Sequence, residues 1–400
     1  MKNCLVCDFN SLQKIIDLGM HSFADTFISE DQTHDSEPVY PLTCHLCDNC
    51  GHVQLGCETK ADARYNLYDY SYTSSNSKFS RNHWDEYAQT VATKLKLQPG
   101  AKVVEIGSND GYLTERFKRS GFEVLGVDPS HQMVEIARSR GITTEACLFT
   151  KANSERIVQK FGKVDLIVAN NVFNHSDNPL DFSEGVKNLL KDDGYFVYEV
   201  PYWYNTIKTQ RFDQIYHEHV NYFTVKSSQQ LLSAAGLQIV DVDVVDYHGG
   251  SLRICAKKRN STQEPAAVTR MIEEEELVGL FDVATYNVYM KNLIAKRNDF
   301  LRKIFSISRE NIPIVGVGAA AKANTFLNFY RLDKTVLQYI TDASEYKQGK
   351  YTPLTRIPIV GDEIFSQYDK VYALILSWNI SDILKENLHK INSKIEFLHP

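Results

Sequence analysis

The segment Lys102-Val-Val-Glu-Ile-Gly-Ser-Asn-Asp-Gly-Tyr-Leu-Thr-Glu-Arg-Phe117 leaves the middle of this chain few folds to choose from. An apolar run, a turn with glycine at 107 and 111, and then helix formers read as a buried strand, a tight turn and a helix. That is the opening unit of a doubly wound α/β sheet, and its glycines let the backbone approach a ligand closely. About 20 residues on, Glu123-Val-Leu-Gly-Val-Asp128 reads as a second strand ending in an acid, placed to bind a ribose diol. A dinucleotide would set its pyrophosphate against this turn. Glu105 and Asp110 would repel it, whereas carboxylates suit a ligand with an ammonium group, which is S-adenosylmethionine. Glu105, Gly107, Asn109, Gly111, Asp128 and Asn170, at the end of a later apolar strand, are therefore the expected cofactor-binding residues of a methyltransferase core.

The same grammar recurs near the C-terminus. Ile314-Val-Gly-Val-Gly-Ala-Ala-Ala-Lys322 is again strand, glycine turn and helix, now without acids. Amides around Gly316 and Gly318, together with Lys322, suit an anionic group such as a diphosphate. Further strands are expected at residues 337–341, 359–361 and 371–377. Residues 264–306 read as a long helical stretch, with Glu273–Glu276 on a solvated face.

Five of the eight cysteines fall in the first fifty residues. Cys4-Leu-Val-Cys7 and Cys47-Asp-Asn-Cys50 are C-x-x-C pairs, and two such turns complete a tetrahedral four-thiolate zinc site. A closed site of this kind leaves no open position, so the zinc is expected to be structural. Cys44 is expected as a buried thiol on a short strand over 40–45.

Titratable residues gather in two further places. His175 follows the fourth strand of the central unit, where ligands of doubly wound sheets lie. Tyr216-His-Glu-His219-Val-Asn-Tyr222 reads as a loop running into a strand and is too dense in acid–base groups for simple packing. If it is extended, His217 and His219 share a face. His248-Gly-Gly-Ser-Leu-Arg253 sets a cation beside a glycine bend, either for phosphate or sugar hydroxyls or as a hairpin with a solvated Arg253.

Composition removes several classes. The net charge is −6, from 44 basic and 50 acidic residues, which argues against bulk nucleic-acid binding. No apolar run reaches the ~18–20 residues that span a bilayer, and the first residues carry no secretory h-region, so no membrane partner and a cytoplasmic location are expected. The sequence carries no signature of oligomeric state.

Taken together, the paired C-x-x-C, Tyr-Thr-Ser-Ser, E-x-G-x-N-D-G, the H-E-H loop, H-G-G-S-L-R, G-x-G-A-x-x-K and Lys347-Gln-Gly-Lys-Tyr resemble the zinc-containing sugar C-methyltransferases, over nearly the whole chain. These act on carbon 3 of nucleotide-linked 4-keto-deoxysugars. The resemblance implies a zinc module over 1–70, a Rossmann-like class I methyltransferase domain over 71–257 and a second Rossmann-like domain over 258–400 that binds the nucleotide sugar. It implies zinc on Cys4, Cys7, Cys47 and Cys50, and Tyr72, His175, Tyr216, Glu218 and His219 around the sugar. Arg253, Gly316, Gly318 and Lys322 are the expected substrate-binding residues. His219 is the expected base, by the resemblance, with Glu218 orienting the loop and Tyr72 and Tyr216 as donors to the keto oxygen. His175 stands as donor or second base. Transfer to oxygen or nitrogen of another acceptor, and a non-catalytic binding protein, are the rival readings.

Overall fold

A computed structural model describes residues 3–59, 73, 75, 77–260 and 263–399. Tyr72 lies outside them. Three sheets organise the described chain. The central one has seven strands in the order Leu237–Val245, Ser251–Lys258, Leu190–Pro201, Val164–Asn170, Lys102–Ile106, Glu123–Asp128, Thr144–Ala146. Its strands are parallel except Ser251–Lys258, which runs antiparallel to both neighbours. Parallel strands covered on both faces need continuous apolar runs. Val164, Leu166, Ile167, Val168 and Ala169 accordingly have no exposed surface. The order reverses between Lys102–Ile106 and Val164–Asn170, which opens a crevice at their carboxyl ends.

The C-terminal sheet is parallel throughout, with Ile314–Val317 central between Tyr339–Thr341 and Val371–Ile375. The expected helical stretch is two helices, Ala266–Leu277 and Val283–Ser308. The expected solvated acidic face fails at one position. Glu275 is fully buried and accepts from the Tyr202 hydroxyl (2.8 Å) and the Val225 (2.6 Å) and Lys226 (3.1 Å) amides. It thereby receives the first free N–H groups of helix Val225–Ala234, a role no local run of glutamates reveals.

The N-terminal sheet borrows its last strand. Leu12–His21, Tyr40–Cys47 and Val53–Leu55 are followed in space by Asn221–Tyr222, from the far side of the chain. Cys44 is buried on the second of these strands, its thiol pushed up by burial. One apolar core joins this sheet to the C-terminal unit, with Ile16, Leu42 and Val53 packed in the same cluster as Tyr286, Phe300 and Leu327. Cys4, Cys47 and Cys50 pack instead with the central sheet's core. Among the described residues, no helix is long and apolar enough to cross a membrane.

Candidate functional site

Each glycine turn sits where its strand ends. Gly107 adopts φ +69°, and a Cβ there would collide with Val172. Gly111, at φ +77°, is the N-cap of helix Tyr112–Arg119 and lies against Ala137. The Asp128 carboxylate accepts the Asn109 and Ser130 amides, both at 2.8 Å, which ties the second strand's end to the turn. Burial raises the Asp128 carboxyl above its usual range. Burial also pushes the Glu105 carboxyl up to about 8, against the hydroxyl it accepts from Thr114. A buried acid in this state is stabilised by a cation or hydroxyl donor, so the notch fits S-adenosylmethionine. Asn170 accepts the Glu199 amide (3.0 Å), joining the two strands beside the crevice.

The four expected zinc ligands converge. Their sulfurs all lie within 4.8 Å of one another, with Cys4–Cys50 at 3.5 Å and Cys7–Cys47 at 3.6 Å. Sulfurs about 2.3 Å from a tetrahedral ion stand about 3.8 Å apart, so the set fits zinc. From this site His52 reaches the Asn221 side chain (3.0 Å), whose amide donates to the Ser176 carbonyl (2.7 Å), next to His175.

His175, Tyr216 and His219 come together. The Tyr216 hydroxyl meets His219 Nε2 at 2.6 Å, and His219 Nδ1 meets the Gln214 carbonyl at 2.9 Å. A carbonyl only accepts, so Nδ1 carries the proton and Nε2 accepts from the phenol. The His175 ring lies 5.0 Å from that of His219, edge to face. His175 closes the short turn that starts at Val172, the residue packed on Gly107, so this cluster adjoins the cofactor turn. Burial holds the His219 imidazole down at about 3, with the Gln214 carbonyl opposing.

The segment is not extended at its histidines. The His219 amide closes a turn onto the Tyr216 carbonyl (3.0 Å), so His217 and His219 do not share a face. His217 instead packs edge-on against Phe23 and Tyr40, each 5.8 Å between centroids. Glu218 accepts the Asp25 amide (3.3 Å), docking the loop onto the N-terminal module.

Arg253 stands apart. His248-Gly-Gly forms the hairpin bend between Leu237–Val245 and Ser251–Lys258, with His248 itself at φ +52°. The Arg253 guanidinium is spent on buried Glu199, through Nε at 2.6 Å, and that carboxylate also takes His83 at 2.8 Å.

The second glycine turn differs from its expectation. The Gly318 amide donates to the Thr341 carbonyl (2.7 Å) and the Ala319 amide to Asp342 (2.8 Å), so neither is free for a phosphate. Asp342 also takes the Ser344 amide (2.9 Å). It repeats, bond for bond, what Asp128 does in the central unit. The turn therefore has its acid, supplied from the next strand. Gly316 lies within the strand, packed against Ile340 and Leu376. Lys322 faces a different cluster: Asn379, the Trp378 ring (4.7 Å to its centroid) and the charges of Asp213 and Arg211. Burial lowers its ammonium to about 8, with Asp213 opposing. Arg211 covers the same ring at 4.0 Å.

Three family models match in succession: a putative zinc binding domain over residues 4–65, a methyltransferase domain over 79–242, and a C-methyltransferase C-terminal domain over 246–400. The C-methyltransferase NovU of Streptomyces niveus is 29% identical over 96% of this chain and 91% of its own length. A ubiquinone biosynthesis O-methyltransferase of Xanthomonas campestris is 26% identical over 26% of this chain and 44% of its own. An S-adenosylmethionine-dependent methyltransferase structure from Clostridium acetobutylicum aligns over 46% of this chain and 94% of its own, at 17% identity and a TM-score of 0.37.

Proposed function

We propose that this chain, which belongs to the zinc-containing C-methyltransferase family, methylates carbon 3 of a nucleotide-linked 4-keto-deoxysugar. It is an S-adenosylmethionine-dependent C-methyltransferase, and a structural zinc is its second cofactor. The observation that carries the finer reading is the Tyr216–His219–Gln214 hydrogen-bonded chain beside His175. A neutral imidazole can take a proton from a hydroxyl as well as from carbon; what a carbon acceptor needs in addition is a donor for the enolate oxygen, which the phenol beside it offers. A carbon next to a ketone is not nucleophilic until it loses a proton, so the base and the donor are required together.

His219 is the base. Its proton on Nδ1 is fixed by a carbonyl, so the Nε2 lone pair is the reactive one. Tyr216 donates to that lone pair when no substrate is present. On turning to the C4 oxygen it bares Nε2 and stabilises the enolate with the same O–H. Burial penalises a lone imidazolium, but an enolate formed beside it supplies the opposing charge, so the penalty shrinks as the proton moves. His175 is the second donor within reach, and Tyr72 belongs to the same reading. S-Adenosylmethionine, when bound at the glycine turn, supplies the electrophilic methyl group that the enolate carbon accepts. Glu218 holds the loop on the N-terminal module rather than touching the proton.

Lys322 and Arg211, flanking Trp378, are assigned to the diphosphate, and Glu105 and Asp128 to the cofactor's ammonium and ribose. The domain limits at residues 70 and 257 and a cytoplasmic location belong to the same proposal.

The test uses purified enzyme, S-adenosylmethionine and a panel of nucleotide-linked 4-keto sugars, read by mass spectrometry. A gain of one methyl on the sugar carbon is expected. Methylation on a hydroxyl, or no product from any member of the panel, would reject the substrate class. His219→Ala should abolish exchange of the C3 proton with deuterated water, whereas His217→Ala should retain it.

A further inference from the structure

The base is held from the C-terminal side as well as from the zinc module. Phe212 packs on Phe329 (4.9 Å between centroids), the Thr325 hydroxyl donates to the Ile215 carbonyl (3.0 Å), and the Trp378 indole N–H donates to Asp213 (2.5 Å). Trp378 has a second contact, with the hairpin bend of the central sheet. Its ring edge fills the space over Gly249, where a Cβ would collide. Gln214 bridges these two points: its side-chain amide donates to the His248 carbonyl (2.8 Å), next to Gly249, and its own carbonyl receives His219 Nδ1. The orientation of the base thus depends on where the Gln214 carbonyl lies, and the indole bounds Gln214 on two sides: through Asp213, its neighbour in the chain, and through the Gly249 bend that its side chain reaches.

We propose that Trp378 is a positioning residue for the base: by fixing Asp213 and the Gly249 bend, it sets the Gln214 carbonyl that holds His219 with its proton on Nδ1 and its lone pair on Nε2. The proposal rests on the reading of His219 as base, not on the identity of the sugar. The alternative tautomer would point the Nδ1 lone pair at the carbonyl oxygen, so a displaced peptide releases both ring orientation and proton position together. His248, at φ +52°, is a non-glycine residue held in the left-handed region at this very contact, which is where surrounding structure must over-determine the backbone. Arg211 and Lys322 lie against the same ring, so the group that would carry the diphosphate and the group that orients the base share one anchor.

Trp378→Phe keeps an aromatic face for both cations and removes the indole donor. Nitrogen NMR of the histidine side chains, on protein without substrate, should show a single Nδ1–H tautomer for His219 in the parent and a mixture in the variant. At saturating sugar nucleotide, C3 exchange and kcat should fall on the order of tenfold to a hundredfold, as for a reacting group misplaced by a fraction of an ångström. KM should stay within about twofold. Asp213→Leu should reproduce the loss, and Asp213→Asn, which keeps an oxygen for the indole, should lose less. If Trp378→Phe does not fold, the Asp213 pair decides. A raised KM with unchanged kcat would make Trp378 a binding surface and overturn the proposal, as would an unmoved tautomer and exchange rate. Failure on every nucleotide sugar would sink the substrate reading alone, because the tautomer is read without substrate.

Discussion

Asp342→Ala separates two accounts of the second glycine turn by sign. The carboxylate serves two amides, Ala319 at 2.8 Å and Ser344 at 2.9 Å. Ala319 has no exposed surface, so its amide is left without a partner and the loss is about 1–3 kcal/mol. Ser344 is only half-buried, and water can replace the carboxylate there at about 0.5–1 kcal/mol. The sum is about 1.5–4 kcal/mol. For a unit of this size each kcal/mol moves the melting point by about 2–4 °C, so the transition that includes the C-terminal sheet should fall by roughly 3–16 °C. Calorimetry reads this directly, and the sugar-nucleotide KM should not fall. Suppose instead that the turn cradles the diphosphate. Removing a negative charge about 5 Å from it, at an effective dielectric near 20, would then strengthen binding by about 3 kcal/mol, or over a hundredfold. An unmoved melting point together with a KM lowered tenfold or more (about 1.4 kcal/mol) would refute the reasoning.

Other substitutions test neighbouring parts. Gly107→Ala combines a left-handed backbone with a Cβ that meets Val172; at about 2–4 kcal/mol, titration calorimetry with S-adenosylhomocysteine should show Kd raised by at least tenfold. Metal analysis should find one zinc per chain in the parent protein and none in Cys4→Ser/Cys47→Ser. The double substitution should also lower C3 exchange, because the strand Val53–Leu55 that pairs with Asn221–Tyr222 is no longer anchored. The Lys322 ammonium, lowered to about 8 by burial, is charged below that pH and neutral above it. Sugar-nucleotide KM should therefore be lowest below about pH 8 and rise about tenfold per unit beyond it, and Lys322→Arg should flatten the profile; a parent profile flat to pH 10 would remove Lys322 from the anion site.

Asp128 and Asp342 mark where a one-dimensional reading works and where it stops. Asp128 ends, and Asp342 directly follows, the strand after a glycine turn, and both accept an amide of that turn and the amide two residues beyond themselves. The rule that found Asp128, an acid at the end of the second strand, applies equally to Tyr339-Ile-Thr-Asp342. The second turn has no acid within it to draw attention there, and Asp342 stands one residue beyond the strand's end at Thr341. The cysteine pairs were legible for the opposite reason: their spacing alone fixes what they converge on. Glu275 was not, since a buried carboxylate among four glutamates is chosen by Tyr202, Val225 and Lys226, some fifty residues away or more.

The proposed base, His219, shows why composition and periodicity run out. Between Tyr216 and Tyr222 the sequence offers two histidines, and alternation assigns both to one face. The turn from Tyr216 to His219 breaks the alternation, and what decides between them is tertiary: aromatic partners from the N-terminal module for His217, a phenol and a carbonyl for His219. The same segment donates a strand to the zinc sheet, a carboxylate to Trp378 and an amide to the central sheet's hairpin. A loop held by one module alone would be free to leave a carbanion exposed to water, which would reprotonate it before carbon–carbon bond formation. On the proposed reading of His219 as base, gripping it from all three parts makes deprotonation depend on their assembly, which gives a physical reason for setting two further modules around one methyltransferase sheet.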